Sequence, residues 1–267
     1  MRSIRRIGGT APLRVAIVFL FSGVFSLIFS VFYGSQIMAF IGLGLVLWGV
    51  LFLLLRPGKC VESSLLESTA ASEYSTIDRI IKDFKYQGKG YYIPPYPKDA
   101  RLPEHLKGLK DMVVFLSAEN DAGTPSIEDM VEGRFLLVKS KGALVTPPGL
   151  GLLTQIEKQL PRDFTAMDLG ELCEVLSRFF AEDFNMAKAV EMNLLENEAN
   201  LKLSESLYQS FYQAENPYRS ISLLGCPIAS AVACALAKAS GKIVAIQKQT
   251  SSPDGLTIEV WYRFLQG

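Results

Sequence analysis

The sequence predicts an α+β fold in which an N-terminal two-helix transmembrane hairpin precedes a cytoplasmic α+β region with small antiparallel sheets. Three observations lead to this reading. No charged side chain occurs in the 41 residues between Arg14 and Arg56. That run is broken near its middle by Gly34-Ser35-Gln36. Beyond Ser75, helix-period and alternating apolar patterns follow one another, separated by glycine- and proline-rich turns.

A membrane-crossing helix needs about 20 mostly apolar residues, so Val15–Tyr33 and Ile37–Leu55 each suffice for one span. A cleaved leader is a poorer account, because its apolar core runs to only about 7–15 residues. The hairpin occupies residues 15–56 behind a basic arm, 1–14. Ser22, Ser26 and Ser30 in the first span and Gly42, Gly44 and Gly49 in the second are small residues of the kind that let membrane helices approach closely. They predict a helical hairpin packed on itself, or a seam for a homo-oligomer or a membrane protein partner. Four arginines precede the first span, Arg56 and Lys59 follow the second, and the connecting turn is uncharged. Flanking Lys and Arg favour the cytoplasmic side. The expected location is therefore the cell membrane, multi-pass, with both termini cytoplasmic. No ionisable group lies within either span, so nothing marks an ion or proton path.

The zero formal net charge conceals an asymmetry. Residues 1–59 hold six basic side chains and no acid, which leaves 21 bases against 27 acids in the remainder. Nucleic-acid partners are excluded on that ground, since phosphate backbones are bound by clustered Lys and Arg. Cys60, Cys173, Cys226 and Cys234 show no CxxC spacing, and His105 is the single histidine. No metal site and no cofactor is expected from that set.

Residues 57–74 have the Ser/Glu/Ala composition of a linker. A small α+β unit is expected over 75–165. Ser75 and Asp78 form a helix-start pattern, Ile77, Ile80, Ile81 and Phe84 share one face, and Gly88 and Gly90 end the helix. Short strands are expected at Gly90–Ile93, Met112–Leu116, Phe135–Val138 and Ala143–Val145. Pro147-Pro148-Gly149 then introduces a helix through Leu160, and Thr165 with Asp168 caps another. A second unit is expected over 166–267. Val190, Met192 and Leu194 alternate with polar residues, as do Ala199, Leu201 and Leu203, which predicts a hairpin turning at Glu196–Glu198. A short helix is expected around Leu207–Gln213. The stretch from Pro227 to Gly241 has proline in its first turn, glycine at its stop and small apolar residues on nearly every face, so it reads as a buried helix. Ser252-Pro253-Asp254-Gly255 joins two final strands.

Several motifs carry a resemblance. Lys89-Gly90-Tyr91-Tyr92-Ile93-Pro94-Pro95, Leu144-Val145-Thr146-Pro147-Pro148-Gly149-Leu150-Gly151, the Gly225–Gly241 helix and the hairpin ending Tyr262-Arg263-Phe264 resemble an uncharacterised group of archaeal membrane-anchored proteins. The resemblance spans most of residues 75–265 and implies architecture and membrane location, with no activity attached. From Val190 to Phe264 the element order is also similar to vinyl-reductase-type hydrocarbon-binding domains, which implies a small apolar ligand. Members of that family often place cysteines in the final hairpin. None lies between Lys242 and Gly267 here, so no metal or redox role follows from the likeness.

Cys226 is the weak catalytic candidate. A thiol just before a helix's first turn faces free N–H groups that favour the thiolate. A nucleophile also needs a base, and nothing in the spacing links His105 to it. Tyr91, Tyr92 and Tyr96 among Pro94, Pro95 and Pro97 suggest a rigid aromatic surface for a ligand or partner, and Cys226 completes that candidate binding set. Pro147-Pro148-Gly149-Leu150-Gly151 lacks both a following Lys-Ser pair and GxGxxG spacing, so it reads as a rigid connection. The expectation is a non-enzymatic module, tethered to the bilayer, that senses a ligand or binds a protein. The alternatives are a thiol-dependent hydrolase or transferase using Cys226 and a structural subunit of a membrane complex.

Overall fold

The computed structural model describes residues 11–54, 63–95, 111–119, 125, 135–213 and 218–265. The chain divides into two compact units, Met1–Val61 and Glu62–Gly267.

The first unit is the expected apolar hairpin: α1 (Ala11–Tyr33), a two-residue turn, and α2 (Gln36–Leu54). Both helices are long and apolar enough to cross a membrane. Its buried residues are small and recur every seventh position: Ala16, Gly23 and Ser30 on α1, Gly42 and Gly49 on α2. A seven-residue repeat keeps one face of a helix turned to its partner. The backbones are correspondingly close, since a Cβ on Gly42 would lie 3.0 Å from the Gly23 carbonyl oxygen. Two serines fasten the turn end: Ser26 Oγ donates to the Met38 carbonyl (3.0 Å) and Ser30 Oγ to that of Ser35 (2.8 Å). Ser22 and Gly44, expected in the seam, are not in it. Ser22 bonds back to Phe19 of its own helix, and Gly44 faces open space. The outward faces carry Phe21, Phe25, Val31, Phe32, Ile37 and Phe40, all exposed. The seam residues are thus spent within the hairpin, and large apolar side chains cover its outside.

The second unit is built on one eight-stranded sheet, antiparallel throughout. Its strands are β1 (Gly90–Ile93), β2 (Val113–Ser117), β3 (Leu136–Leu137), β4 (Gly142–Val145), β5 (Ala189–Leu194), β6 (Glu198–Ser204), β7 (Ile243–Ser251) and β8 (Thr257–Leu265). They lie in the order β3-β4-β2-β1-β7-β8-β6-β5. The β5–β6 register pairs Val190 with Leu203, Met192 with Leu201 and Leu194 with Ala199, which is the alternation read from the sequence. The expected boundary near residue 165 is absent. Pairing of β1 with β7 (Tyr91 with Ala245, Tyr92 with Val244) merges the two expected sheets into one.

The helices are α3 (Ser63–Asp83), α4 (Leu150–Gln159), α5 (Leu169–Arg178), α6 (Arg219–Leu224) and α7 (Pro227–Ser240). Residues 63–74, expected as linker, form the first half of α3. Its buried face runs Ala70, Tyr74, Ile77, Ile81, and two of those four are too small or too polar to register as core in the sequence. Ser75 therefore lies inside the helix. The helix stops at Asp83, short of the expected glycines, with Lys85 at a φ of 54° and the Tyr86 amide donating to the Ile81 carbonyl (2.9 Å). Asp168 caps α5 through the Gly170 amide (3.0 Å), whereas Thr165 sits in a separate turn capped by Asp163. The expected helix at 207–213 is a single tight turn, Gln209–Tyr212, and α6 follows beyond it.

Helix α7 is the centre of the unit. Every residue from Pro227 to Ala237 is buried. The helix lies on β1, β7 and β8, and α4, the Phe164–Ala166 turn and α5 cover its other side. The stretch Arg219–Ser240 is apolar enough to be mistaken for a third span, but most of it is buried inside this unit. Where α4 begins it presses against α7. A Cβ on Gly149 would lie 2.0 Å from the Ala231 amide nitrogen, so only glycine fits, and the Gly149 N–H donates to Ser230 Oγ (3.0 Å).

Two stability predictions follow, both read as unfolding midpoints of the full-length chain in detergent micelles. Ala233→Leu, at a fully buried position of α7, is expected to overpack the layer and cost about 1–3 kcal/mol. An unchanged midpoint would show that a side of α7 is open. Gly149→Ala is expected to lower the midpoint as well, because backbone must move. Two residues further along, Gly151→Ala meets no atom within 4 Å and should raise stability by about 0.5–1 kcal/mol through helix propensity. Equal effects of the two glycine changes would refute the close approach.

Candidate functional site

The candidate thiol stands where α6 hands over to α7. Helix α6 has only six residues, too few to be stable alone, and both its ends are held by side chains from elsewhere. The Asp78 carboxylate on α3 accepts the amides of Arg219 (3.1 Å) and Ser220 (2.7 Å). At the other end the last carbonyls of the turn accept from three other elements. Gln249 of β7 donates to Ile221 (2.9 Å) and Ser222 (3.0 Å), Tyr92 of β1 to Leu224 (2.6 Å), and Tyr74 of α3 to Gly225 (2.7 Å). Gly225 has φ 68° and ψ 177°, backbone that only glycine adopts readily, and its conformation aims the next residue into the core.

That residue is Cys226, which is fully buried. Its amide donates to the Tyr212 hydroxyl (2.9 Å), and Tyr262 donates to the Ala229 carbonyl one turn into α7 (3.0 Å). Tyr208 stacks near the same place against Phe211 (5.9 Å between centroids). Five phenols, from Tyr74, Tyr92, Tyr208, Tyr212 and Tyr262, therefore surround one thiol.

Burial pushes the Cys226 thiol up from its ordinary value. The Ala229 amide, the Tyr212 hydroxyl and the Ile228 amide oppose this and do not overcome it. Burial likewise raises Tyr74, Tyr92, Tyr212 and Tyr262 well above 10.0, and Tyr208 to about 12. The expected helix N-terminal effect is thus present at Cys226 but is outweighed by desolvation. The shifts favour the protonated thiol and phenols, and the hydroxyls of Tyr74, Tyr92 and Tyr262 hold backbone carbonyls in place.

Tyr91 and Tyr92 do not share a surface. Neighbouring strand residues point to opposite faces, so Tyr92 enters the main core while Tyr91 packs with Phe115, Leu137, Leu144 and Ala245 on the other side of the sheet. Tyr96, His105 and Cys60 lie outside the described residues. Cys173 and Cys234 are buried and free. Of the carboxylates weighed from the sequence, Glu182 and Asp183 are exposed. A charged cluster that sequence spacing does not reveal occurs at the far end of α7. Lys238 is held by Glu157 and, at 3.2 Å, by Asp163. Burial pulls its ammonium down, and these two carboxylates more than reverse that. An open groove of about 320 Å³ adjoins them, lined by Thr154, Lys158, Pro161 and Arg162. Among the described residues, no three His, Cys, Asp or Glu side chains converge as a metal site.

The four tyrosines beyond Tyr92 escaped the sequence reading because 188 residues separate Tyr74 from Tyr262. The one usable signal is Tyr74, which falls on the apolar face of α3 with Ala70, Ile77 and Ile81.

The buried phenols and thiols set an alkaline limit. Each loses its proton more readily in the unfolded chain, near 9.0 for Cys226 and Cys234 and 10.0 for the tyrosines. The stability they contribute is full below those values and is lost as pH rises towards the folded ones. Circular dichroism should stay constant from neutrality to about pH 9 and fall cooperatively above about pH 10. The tyrosinate absorbance of these five should appear only with that fall. Ionisation of all the tyrosines before any loss of structure would contradict the sealed cluster.

Residues 2–264 match a family described as a domain of unknown function (DUF7982), and the chain belongs to that family. No curated protein and no solved structure matches the chain.

Proposed function

We propose that this protein is a membrane-anchored module whose α+β unit works in the cytoplasm by binding a partner or ligand, without chemistry at Cys226. The observation that carries the reading is the hairpin. Ala16, Gly23, Ser30, Gly42 and Gly49 are consumed in its own seam while large apolar side chains face outward, which suits lipid as the surrounding solvent. The orientation rests on the six basic residues flanking the spans and on the uncharged turn between them. A catalytic thiol is disfavoured by the seal over Cys226 and by its protonated state. Binding is favoured by the β3–β4 edge, where Phe135, Leu136 and Val138 are exposed at the end of an open sheet.

Orientation is tested by thiol labelling of intact cells in a Cys60→Ser background, the remaining cysteines being buried. Gln36→Cys, in the turn, should react with a membrane-impermeant maleimide, and Lys248→Cys, exposed on β7, should react only after lysis. Labelling of Lys248→Cys alone in intact cells inverts the topology. The binding surface is tested with a photo-reactive phenylalanine analogue placed at Val138 or at Lys158. Discrete higher-mass products are expected from Val138 and not from Lys158, and an absence of products from Val138 removes that edge from the proposal.

A further inference from the structure

We infer that α3 opens and recloses as a unit separate from the rest of the α+β body, and that its opening is what brings Cys226 to the surface. The inference concerns this unit alone and stands whether or not the hairpin crosses a membrane.

The first ground is how α3 is held. The strands share backbone ladders across the whole sheet, and α7 is enclosed between layers. Helix α3 instead lies against the body by one apolar face and is fastened by side chains. Ser210 donates to Glu67 near its start (2.9 Å), Tyr74 donates to Gly225, and Asp78 accepts the two α6 amides. The one backbone group of α3 in this set, the Tyr74 carbonyl, accepts a long bond from Ser220 Oγ (3.3 Å). Although Ala70, Tyr74, Ile77 and Ile81 are buried, the other face of α3 and its backbone hydrogen bonds lie open to solvent, and elements of that kind are the ones that open below the global unfolding free energy. A pivot is also present. Lys85 holds a left-handed φ of 54° immediately after the helix, where a residue with a Cβ is strained, and beyond it the Gln87 and Gly88 amides join the sheet through Ala118 (3.0 Å) and Ser117 (3.1 Å). The chain is therefore anchored on one side of Lys85 and only latched on the other.

The second ground is what α3 covers. Tyr74 bonds the carbonyl of the residue next to Cys226, and its ring meets Phe211 edge-on (5.5 Å), so α3 forms one wall of the thiol's enclosure. Lifting α3 removes that wall and leaves the Ile228 and Ala229 amides in place. The burial that keeps the thiol protonated is then relieved while the groups that favour the thiolate remain. Cys234, two turns further along α7, lies beneath α4, where its own surroundings include Glu157, and it is not uncovered by this motion.

The test is the rate of maleimide labelling at the two thiols, resolved by peptide mass, in the full-length protein with Cys60→Ser and Cys173→Ser. Cys226 is expected to label at least tenfold faster than Cys234. Asp78→Ala removes the charged latch and should speed labelling of Cys226 by about tenfold or more, the worth of a hydrogen bond to a charged group, with Cys234 unchanged. Ser210→Ala, a milder change at the other end of α3, should give the same selectivity at smaller amplitude, and it carries the test if Asp78→Ala does not fold. Parallel labelling of both thiols in all variants would mean that Cys226 is reached only by global unfolding, and would overturn the inference. So would a Cys226 rate indifferent to both latches.

Discussion

The α+β unit is organised by the need to enclose α7 on every side. A helix with alanine, valine, cysteine and isoleucine all round has no face to offer water, so its neighbours must supply a floor, a roof and two ends. The eight-stranded sheet is the floor, and α4 with α5 is the roof. Small side chains along α7 bring those layers close, which is why Gly149 and Ser230 meet backbone to side chain at the crossing. One part of the roof, α4, comes from the first expected unit, and α7 comes from the second. One enclosed helix thereby fuses what would otherwise be two small domains.

Enclosing a helix also encloses its ends, where backbone groups lack partners. A buried acceptor left unsatisfied costs about 1–3 kcal/mol, so the junction before α7 has to be furnished with donors. Tyrosine suits this task, because its ring adds to the core while its hydroxyl reaches the carbonyls of Leu224, Gly225 and Ala229. The cluster around Cys226 is explained by this demand before any chemistry is invoked. The thiol occupies the N-terminal position of α7 because a small, weakly polar side chain fits beside Gly225 under a tyrosine cage.

Local patterns were legible in the sequence, and long-range ones were not. The β5–β6 and β7–β8 hairpins, the proline start and glycine stop of α7, and the two-helix apolar hairpin all came from periods and turn residues within a short window. The first half of α3 was misread because its buried positions are Ala70 and Tyr74, which carry little hydrophobic signal until a neighbour covers them. The merger of the sheets through β1 and β7 left no trace, since the partners Tyr92 and Val244 are far apart in the chain and each strand reads alike at an edge or in a centre. At the site, Cys226 was visible as a helix-start thiol, but the outcome was decided by desolvation from residues on α3, β1, β8 and the 209–212 turn. Asp78 shows the same limit. Its spacing from Ser75 suggested a cap on its own helix, and it caps α6 instead.

Two kinds of apolar helix occur in this chain, and the contrast between them orders the whole molecule. The hairpin helices put small residues inward and phenylalanine, isoleucine and valine outward, as fits a surrounding solvent that is itself apolar. Helix α7 carries small residues on all faces and is 14 residues long, about 21 Å, short of the roughly 30 Å hydrocarbon layer. Composition alone makes the two equivalent, whereas side-chain size and direction separate them. Helix α3 lies between them in the chain and belongs to neither class. It is polar on one face, packs Ala70, Tyr74, Ile77 and Ile81 of the other into the core, and is latched by side-chain bonds at Tyr74 and Asp78. In a molecule otherwise divided between a lipid-suited hairpin and a closed core, that helix is the element whose attachment is weak enough to change.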